Sequence, residues 1–152
     1  MGAIAMGGVR VLNSELVDAL RIPGDLIDAV TAAEQRELQR RQMAYRDDLP
    51  APEVRGRTVI VVDDGIATGS TMLAAVAALR KLKTGCIVVA APTIARATYH
   101  QISEAADDVA AVMVPEKFYG VGQWFEDFSQ TTDEEVRELL KQADQRVQSM
   151  SR

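Results

Sequence analysis

Four consecutive β-branched residues, Val59-Ile60-Val61-Val62, run without a polar interruption into the acidic pair Asp63-Asp64. A strand with one wet face would alternate, so an unbroken apolar run suits a parallel strand covered on both faces. The chain after it keeps the same grammar. Ile87 to Ala91 reads as a second buried strand and Val109 to Val114 as a third. Helical patterns separate them, over Ser70 to Lys83 and Ala95 to Ala106. Met72, Val76 and Leu79 share one face of the first helix. Arg80, Lys81 and Lys83 stand near its C-terminus, where cations complement the helix dipole, and Gly85 is expected to stop it. This β-α-β-α-β alternation predicts right-handed crossovers and an open parallel sheet.

The segment before Arg57 reads differently. Two short apolar runs within residues 3–12 flank Met6-Gly7-Gly8, a hairpin signal because glycine supplies the positive φ of a tight turn. Asn13 or Ser14 can cap a short helix through Leu20, which Pro23-Gly24 breaks. Asp25 then caps a longer helix to about Tyr45, with Leu26, Val30 and Ala33 on its apolar stripe and Glu34, Arg36, Glu37, Arg40 and Arg41 solvated. Residues 47–52 form a polar connector, and Thr132 opens a last polar helix with Glu134 and Glu135 in its first turn. At 152 residues the chain fits one domain. Residues 1–56 read as a hairpin and helical annex, and 57–152 as an α/β core with a C-terminal helix.

Composition narrows the function. The net charge of −5 opposes a general nucleic-acid surface, which needs clustered positive charge. No apolar stretch reaches the roughly 20 residues that span a bilayer, and the first residues lack the basic region of a secretory signal. Cys86 is the single cysteine, so neither an internal disulfide nor a zinc knuckle can form, and a reducing cytoplasm fits.

The informative corner follows the first buried strand. Asp63 and Asp64 stand at its carboxyl end, where open α/β sheets bind ligands. Two adjacent carboxylates need a compensating partner, which ribose hydroxyls or a divalent cation would supply. Gly65 to Gly69 form a tight loop into a helix N-terminus, whose unpaired N–H groups favour an anion. The hydroxyls of Thr68, Ser70 and Thr71 add donors. Carboxylates beside an anion cradle suggest a sugar phosphate. A Walker A loop is excluded because no lysine follows Gly69, and a dinucleotide fingerprint because Asp63-Asp64 occupy the corner where its glycines belong.

The run Val-Val-Asp-Asp-Gly-Ile-Ala-Thr-Gly-Ser-Thr, residues 61–71, resembles the ribose-phosphate signature of the type I phosphoribosyltransferases. The resemblance extends to Met1 to Ala5 and to Trp124-Phe125-Glu126-Asp127-Phe128, segments found in a bacterial group of that family. It implies an open parallel-sheet, Rossmann-like core with a helical N-terminal annex. It implies that Asp63 and Asp64 hold the 2′- and 3′-hydroxyls of 5-phosphoribosyl 1-diphosphate, with Gly65 beside them and Ala67, Thr68, Gly69, Ser70 and Thr71 around the 5′-phosphate. Magnesium would neutralise the leaving diphosphate, mostly through ligand oxygens. The reaction would transfer the phosphoribosyl group to a nitrogenous base through an oxocarbenium-like transition state, which the acidic pair favours electrostatically. Some purine-using members carry an aspartate where this chain has Ala67, so here any general base comes from elsewhere, or the nucleophile needs none. A sugar-phosphate-sensing domain without catalysis is the alternative. Related enzymes commonly dimerise.

Members of the group normally begin with a further strand and helix carrying the diphosphate loop, and this sequence starts after them. An upstream start codon, a partner supplying the loop, or a catalytically weak remnant would account for that, and Met1 matching an internal position favours the first. An unpaired sheet edge is then expected. Lys117, Phe118 and Tyr119 follow the last strand: either aromatic would stack a base and Lys117 donate to it, or the segment is a loop anchored by packing. Trp124, Phe125 and Phe128 read as a hydrophobic plug. Asp127 would reach magnesium or cap the approach to a helix. Thr93 and Arg96 lie on the carboxyl side of the sheet and could line the pocket. Arg36, Arg40, Arg41 and Arg46 interleave with acids as a solvated face rather than a phosphate clamp, with one arginine or lysine reaching over the site as the alternative. His100 reads as structural or exposed, and Cys86, opening a buried strand, as inert.

Overall fold

The computed structural model describes residues 2–5, 9–46 and 52–150. β3 (Thr58–Val62), β4 (Cys86–Thr93) and β5 (Asp108–Met113) form a parallel sheet in that order. The crossovers are α3 (Ser70–Lys81) and α4 (Arg96–Ala105). All three strands and both helices fall where the periodicity puts them, with ends shifted by one or two residues. β4 alone is appreciably longer than its apolar run.

One sheet face carries the core. Ile87 and Val89 are fully buried on it, against Val76 of α3 and Ile102 of α4. The opposite face is open: Ile60, Val62 and Val112 are 62%, 72% and 83% exposed. The expectation that the Val59–Val62 run is covered on both faces is therefore corrected. Strand order advances one way from β3 to β5, so two crossovers of one hand lay both helices on the same side. Among the described residues nothing covers the other side, and β3 has no strand on its outer edge, as expected.

α3 is apolar around most of its circumference because it lies between two layers. The sheet is on one side. On the other is an antiparallel hairpin, β1 (Gly2–Ala5) and β2 (Val9–Leu12), paired from Gly2 with Leu12 to Ala5 with Val9. Its turn, Met6-Gly7-Gly8, lies outside the described residues, as does most of the 47–52 connector. α1 (Ser14–Ala19) is capped by Asn13, whose side chain accepts from Leu16 N at 2.9 Å. In α2 (Gly24–Arg46) Asp25 lies in the first turn rather than at the cap. Its buried anchor is Ile27, not Leu26, which is 52% exposed. Arg40 and Arg41 pair with Glu37 at 2.8 Å, and Arg40 also reaches Asp133 on α5 (Asp133–Met150).

Two further ends differ from expectation. α3 stops through Lys83, which adopts φ +59, while Gly85 serves a close approach: a Cβ there would stand 2.6 Å from Gly56 O. α5 opens on a reciprocal capping box. Thr132 Oγ1 accepts from Glu135 N, and Glu135 Oε2 accepts from Thr132 N at 2.8 Å.

Candidate functional site

The acidic pair sits where the β3–β4 ladder lapses. Asp63 N still donates to Ala90 O at 3.1 Å. Pairing resumes at Ile66, which bridges to Ile94 and buries its side chain in the core. The chain is thus pinned on both sides of Asp64 and Gly65. Asp63 is half-buried and Asp64 exposed. Burial pushes the Asp63 carboxyl above the ordinary aspartate range. The Asp64 N–H, donating to Asp63 Oδ1 at 2.9 Å, pulls it the other way, and the Asp64 charge pushes it up again.

The loop into α3 is shaped by Gly69, its N-cap, at φ +71. An L residue there would be strained, and its Cβ would stand 2.5 Å from Thr98 Cγ2. Glycine at the cap has no side chain to accept from the first-turn amides. The backbone N–H groups of Ala67, Thr68, Gly69, Ser70 and Thr71 find no acceptor among the described residues. Thr68 Oγ1 and Ser70 Oγ lie 3.4 Å apart. Thr98, on α4, donates its hydroxyl to Ala67 O at 2.5 Å and so orients the loop from behind. Five unsatisfied amides at a helix N-terminus, beside exposed carboxylate, can hold an anion on one side and hydroxyl donors on the other.

The segment after β5 reaches this corner. Val121 packs on Gly65: a Cβ on that glycine would collide with both γ-methyls of Val121. Phe118 is half-buried against Trp124 at a ring separation of 6.4 Å, whereas Tyr119 is 85% exposed and Lys117 exposed. The Gln123 amide, oriented to satisfy its neighbours, accepts from Trp124 Nε1 at 3.0 Å and Tyr119 N at 3.3 Å. Phe125 and Phe128 stack at 5.2 Å. They form a partly exposed plug.

Other expected residues have surroundings of their own. Asp127 Oδ1 accepts from Ser129 N at 2.9 Å, a turn-capping role. No group of three or more acidic, histidine or cysteine side chains able to hold a metal occurs among the described residues. Thr93 is fully buried and its hydroxyl finds no partner among the described residues, so it faces the core behind Gly65 rather than open solvent. Arg96 is exposed and donates to Val114 O at 3.2 Å. His100 is exposed and meets Tyr99 edge-on. A cavity of about 480 Å³ opens between the hairpin and α2. Ile4, Ile27 and Val30 line it, with Thr71 of the loop in its wall. Asp63 and Asp64 lie outside it. The roles of Thr98 and Val121 escaped the sequence reading, because each depends on a contact across 30 or more positions that no local pattern announces.

No helix among the described residues is long and apolar enough to cross a membrane. Residues 3–123 match the family model for the phosphoribosyl transferase domain. Two curated relatives from Mycobacterium tuberculosis, of strains CDC 1551 and H37Rv, both provisionally named phosphoribosyl transferase, are 37% identical over 142 residues. The match takes in 93% of this chain and 32% of theirs, so the chain spans about a third of their length. The crystal structure of TT1426 from Thermus thermophilus superposes with a TM-score of 0.70 at 35% identity, over 91% of this chain and 65% of that one. With the signature loop built as described and the family model covering most of the sequence, the chain belongs to the phosphoribosyl transferase domain family.

Proposed function

We propose that the corner at residues 63–71 binds the phosphoribosyl group of 5-phosphoribosyl 1-diphosphate and that the protein transfers it to a nitrogenous base with release of diphosphate. The observation that carries this reading is the bare helix N-terminus. Five loop amides without acceptors stand next to an acidic pair that is fixed by pairing on either side. The amides, with the Thr68, Ser70 and Thr71 hydroxyls, take the 5′-phosphate. Asp63 and Asp64 accept from the ribose 2′- and 3′-hydroxyls and favour the positive charge that develops on the sugar as diphosphate departs.

Magnesium suits this donor set as an ion carried largely by its ligand. Two carboxylates are present and no third joins them among the described residues, which matches a cation that takes one or two carboxylates and completes its shell with phosphate oxygens and water. Asp63 and Asp64 are the residues that would hold it, and its contribution is to neutralise the leaving diphosphate. Because Ala67 has no ionisable side chain and its carbonyl is already held by Thr98, that position offers no group to deprotonate the acceptor. Tyr119, exposed on the segment that packs on Gly65, is the aromatic surface available to stack a base, with Lys117 beside it and Phe118 committed to Trp124. The single cysteine and the acidic balance suit the cytoplasm.

The test is calorimetric titration with ribose 5-phosphate and with the diphosphate substrate. Asp64→Asn, at an exposed position, is expected to fold normally and to bind ribose 5-phosphate about 10- to 100-fold more weakly, the worth of a hydrogen bond to a charged acceptor. Unchanged affinity would overturn the assignment. Tight ribose 5-phosphate binding without diphosphate release across a set of bases would instead favour a sugar-phosphate sensor.

A further inference from the structure

We infer that Val121 is a positioning residue: seated on Gly65, it fixes the 117–124 loop against the acidic corner, so that loop and corner form one mechanical unit. The contact stands on its own geometry, while the loop's response to a bound ligand rests on the phosphoribosyl reading above.

Glycine at 65 is not required by its backbone. Among the described glycines only Gly56 and Gly69 have positive φ, so an alanine could adopt the Gly65 conformation. Space is what forbids it. A Cβ at Gly65 would overlap Val121 and approach Thr93 Cγ2 to 3.1 Å. The missing side chain is therefore a socket next to Asp64, and Val121 fills it.

The far side of Val121 is braced. Gly122 lies against the Phe128 ring, to which a Cβ would come within 3.1 Å, and Phe128 stacks on Phe125. Trp124 N donates to Val121 O at 3.0 Å. The Gln123 amide ties the Trp124 indole to the Tyr119 backbone, and Phe118 packs on Trp124. A displacement at Gly65 is thus relayed through these contacts to Tyr119 and Trp124.

Trp124 is the single tryptophan, so its fluorescence reports the loop without a label. In the absence of ligand, Gly65→Ala is expected to red-shift Trp124 emission and raise its quenching by acrylamide, and Gly65→Ala/Val121→Ala is expected to return both toward the unsubstituted protein. With ribose 5-phosphate as probe, Trp124 emission in the unsubstituted protein should change in step with the calorimetric isotherm. Val121→Ala, confirmed folded by circular dichroism, should keep its calorimetric Kd within about threefold, the spread of a substitution that leaves the binding groups intact. It should lose most of the emission change. The inference is overturned if the double variant is no closer to the unsubstituted protein than Gly65→Ala, or if Val121→Ala keeps the full emission response. Should ribose 5-phosphate fail to bind the unsubstituted protein, the phosphoribosyl reading falls, and the quenching series alone decides the socket.

Discussion

Gly69 joins conformation and chemistry in one residue. Its φ of +71 costs an L side chain about 1–2 kcal/mol, and the collision with Thr98 Cγ2 adds to that. Gly69→Ala is therefore expected to lower stability by at least that amount in chemical denaturation and to abolish ribose 5-phosphate binding, because the amides around the cap turn away. Gly56→Ala is the control. It shares the positive φ but meets no neighbour, so it should lower stability less and leave binding intact. The acidic pair carries a pH prediction. Burial holds the Asp63 carboxyl above its ordinary value, so the folded protein binds its proton more tightly than the unfolded chain does. Stability then falls as pH rises through the ordinary aspartate range to the raised value, and the penalty is fully present above it. Asp63→Asn should accordingly raise the melting temperature at pH 7, the gain vanishing below the unfolded pKa, while ribose 5-phosphate binding weakens at neutral pH. A gain that persists in acid would contradict the burial cause. The sequence exposed both aspartates and the loop, since strand, acids, glycines and hydroxyls are contiguous there. It could not show that Asp63 is half-buried and Asp64 exposed, because that depends on which sheet face the helices cover.

At the scale of elements, α3, α4 and the start of β4 meet at one ion pair. Arg80 near the end of α3 grips Asp107 with two bonds, of 2.8 and 2.9 Å, and donates to Ala105 O at the end of α4. Asp107 in turn accepts from Ile87 N at 2.6 Å, where β4 enters the core. The guanidinium first, and then the Ile87 amide, hold the Asp107 carboxyl below its usual range. The stabilisation this represents is present above the unfolded carboxylate value and is lost as pH falls through the lowered one. Asp107→Asn should lower the melting temperature at neutral pH, with the difference from the unsubstituted protein shrinking in acid. A difference that is flat across pH would contradict both causes and place the effect outside the carboxylate charge. The basic end of α3 was legible from sequence as a dipole complement, but its specific partner was not. Helix and strand positions were legible because apolar periodicity is local. Helix ends were less so: Lys83 in a left-handed turn at the end of α3 carries no compositional signal, whereas Thr132 and Glu135 three apart do.

Across the whole molecule, β3 separates what a strand is suited to from what is present to cover it. Four β-branched residues in a row suit two covered faces, yet only Val59 and Val61 turn toward the helices. The apolar pattern is local, whereas coverage follows from sheet order. With β3, β4 and β5 laid down in one direction, both crossovers occupy one side, and Ile60, Val62 and Val112 form an apolar surface on the other. Mutational cost should therefore divide by face and not by hydrophobicity. Ile87, fully buried between sheet and helices, should cost about 2–5 kcal/mol on substitution by alanine, the range for removing a large aliphatic side chain from a core. Ile60, on a neighbouring strand and 62% exposed, should change stability by no more than about 0.5 kcal/mol when replaced by threonine, which keeps its β-branch while adding a hydroxyl that water can reach. Urea unfolding of the two variants decides the matter. If Ile60→Thr costs as much as Ile87→Ala, the open face is covered in solution, and the sheet has a second layer that the described residues do not supply.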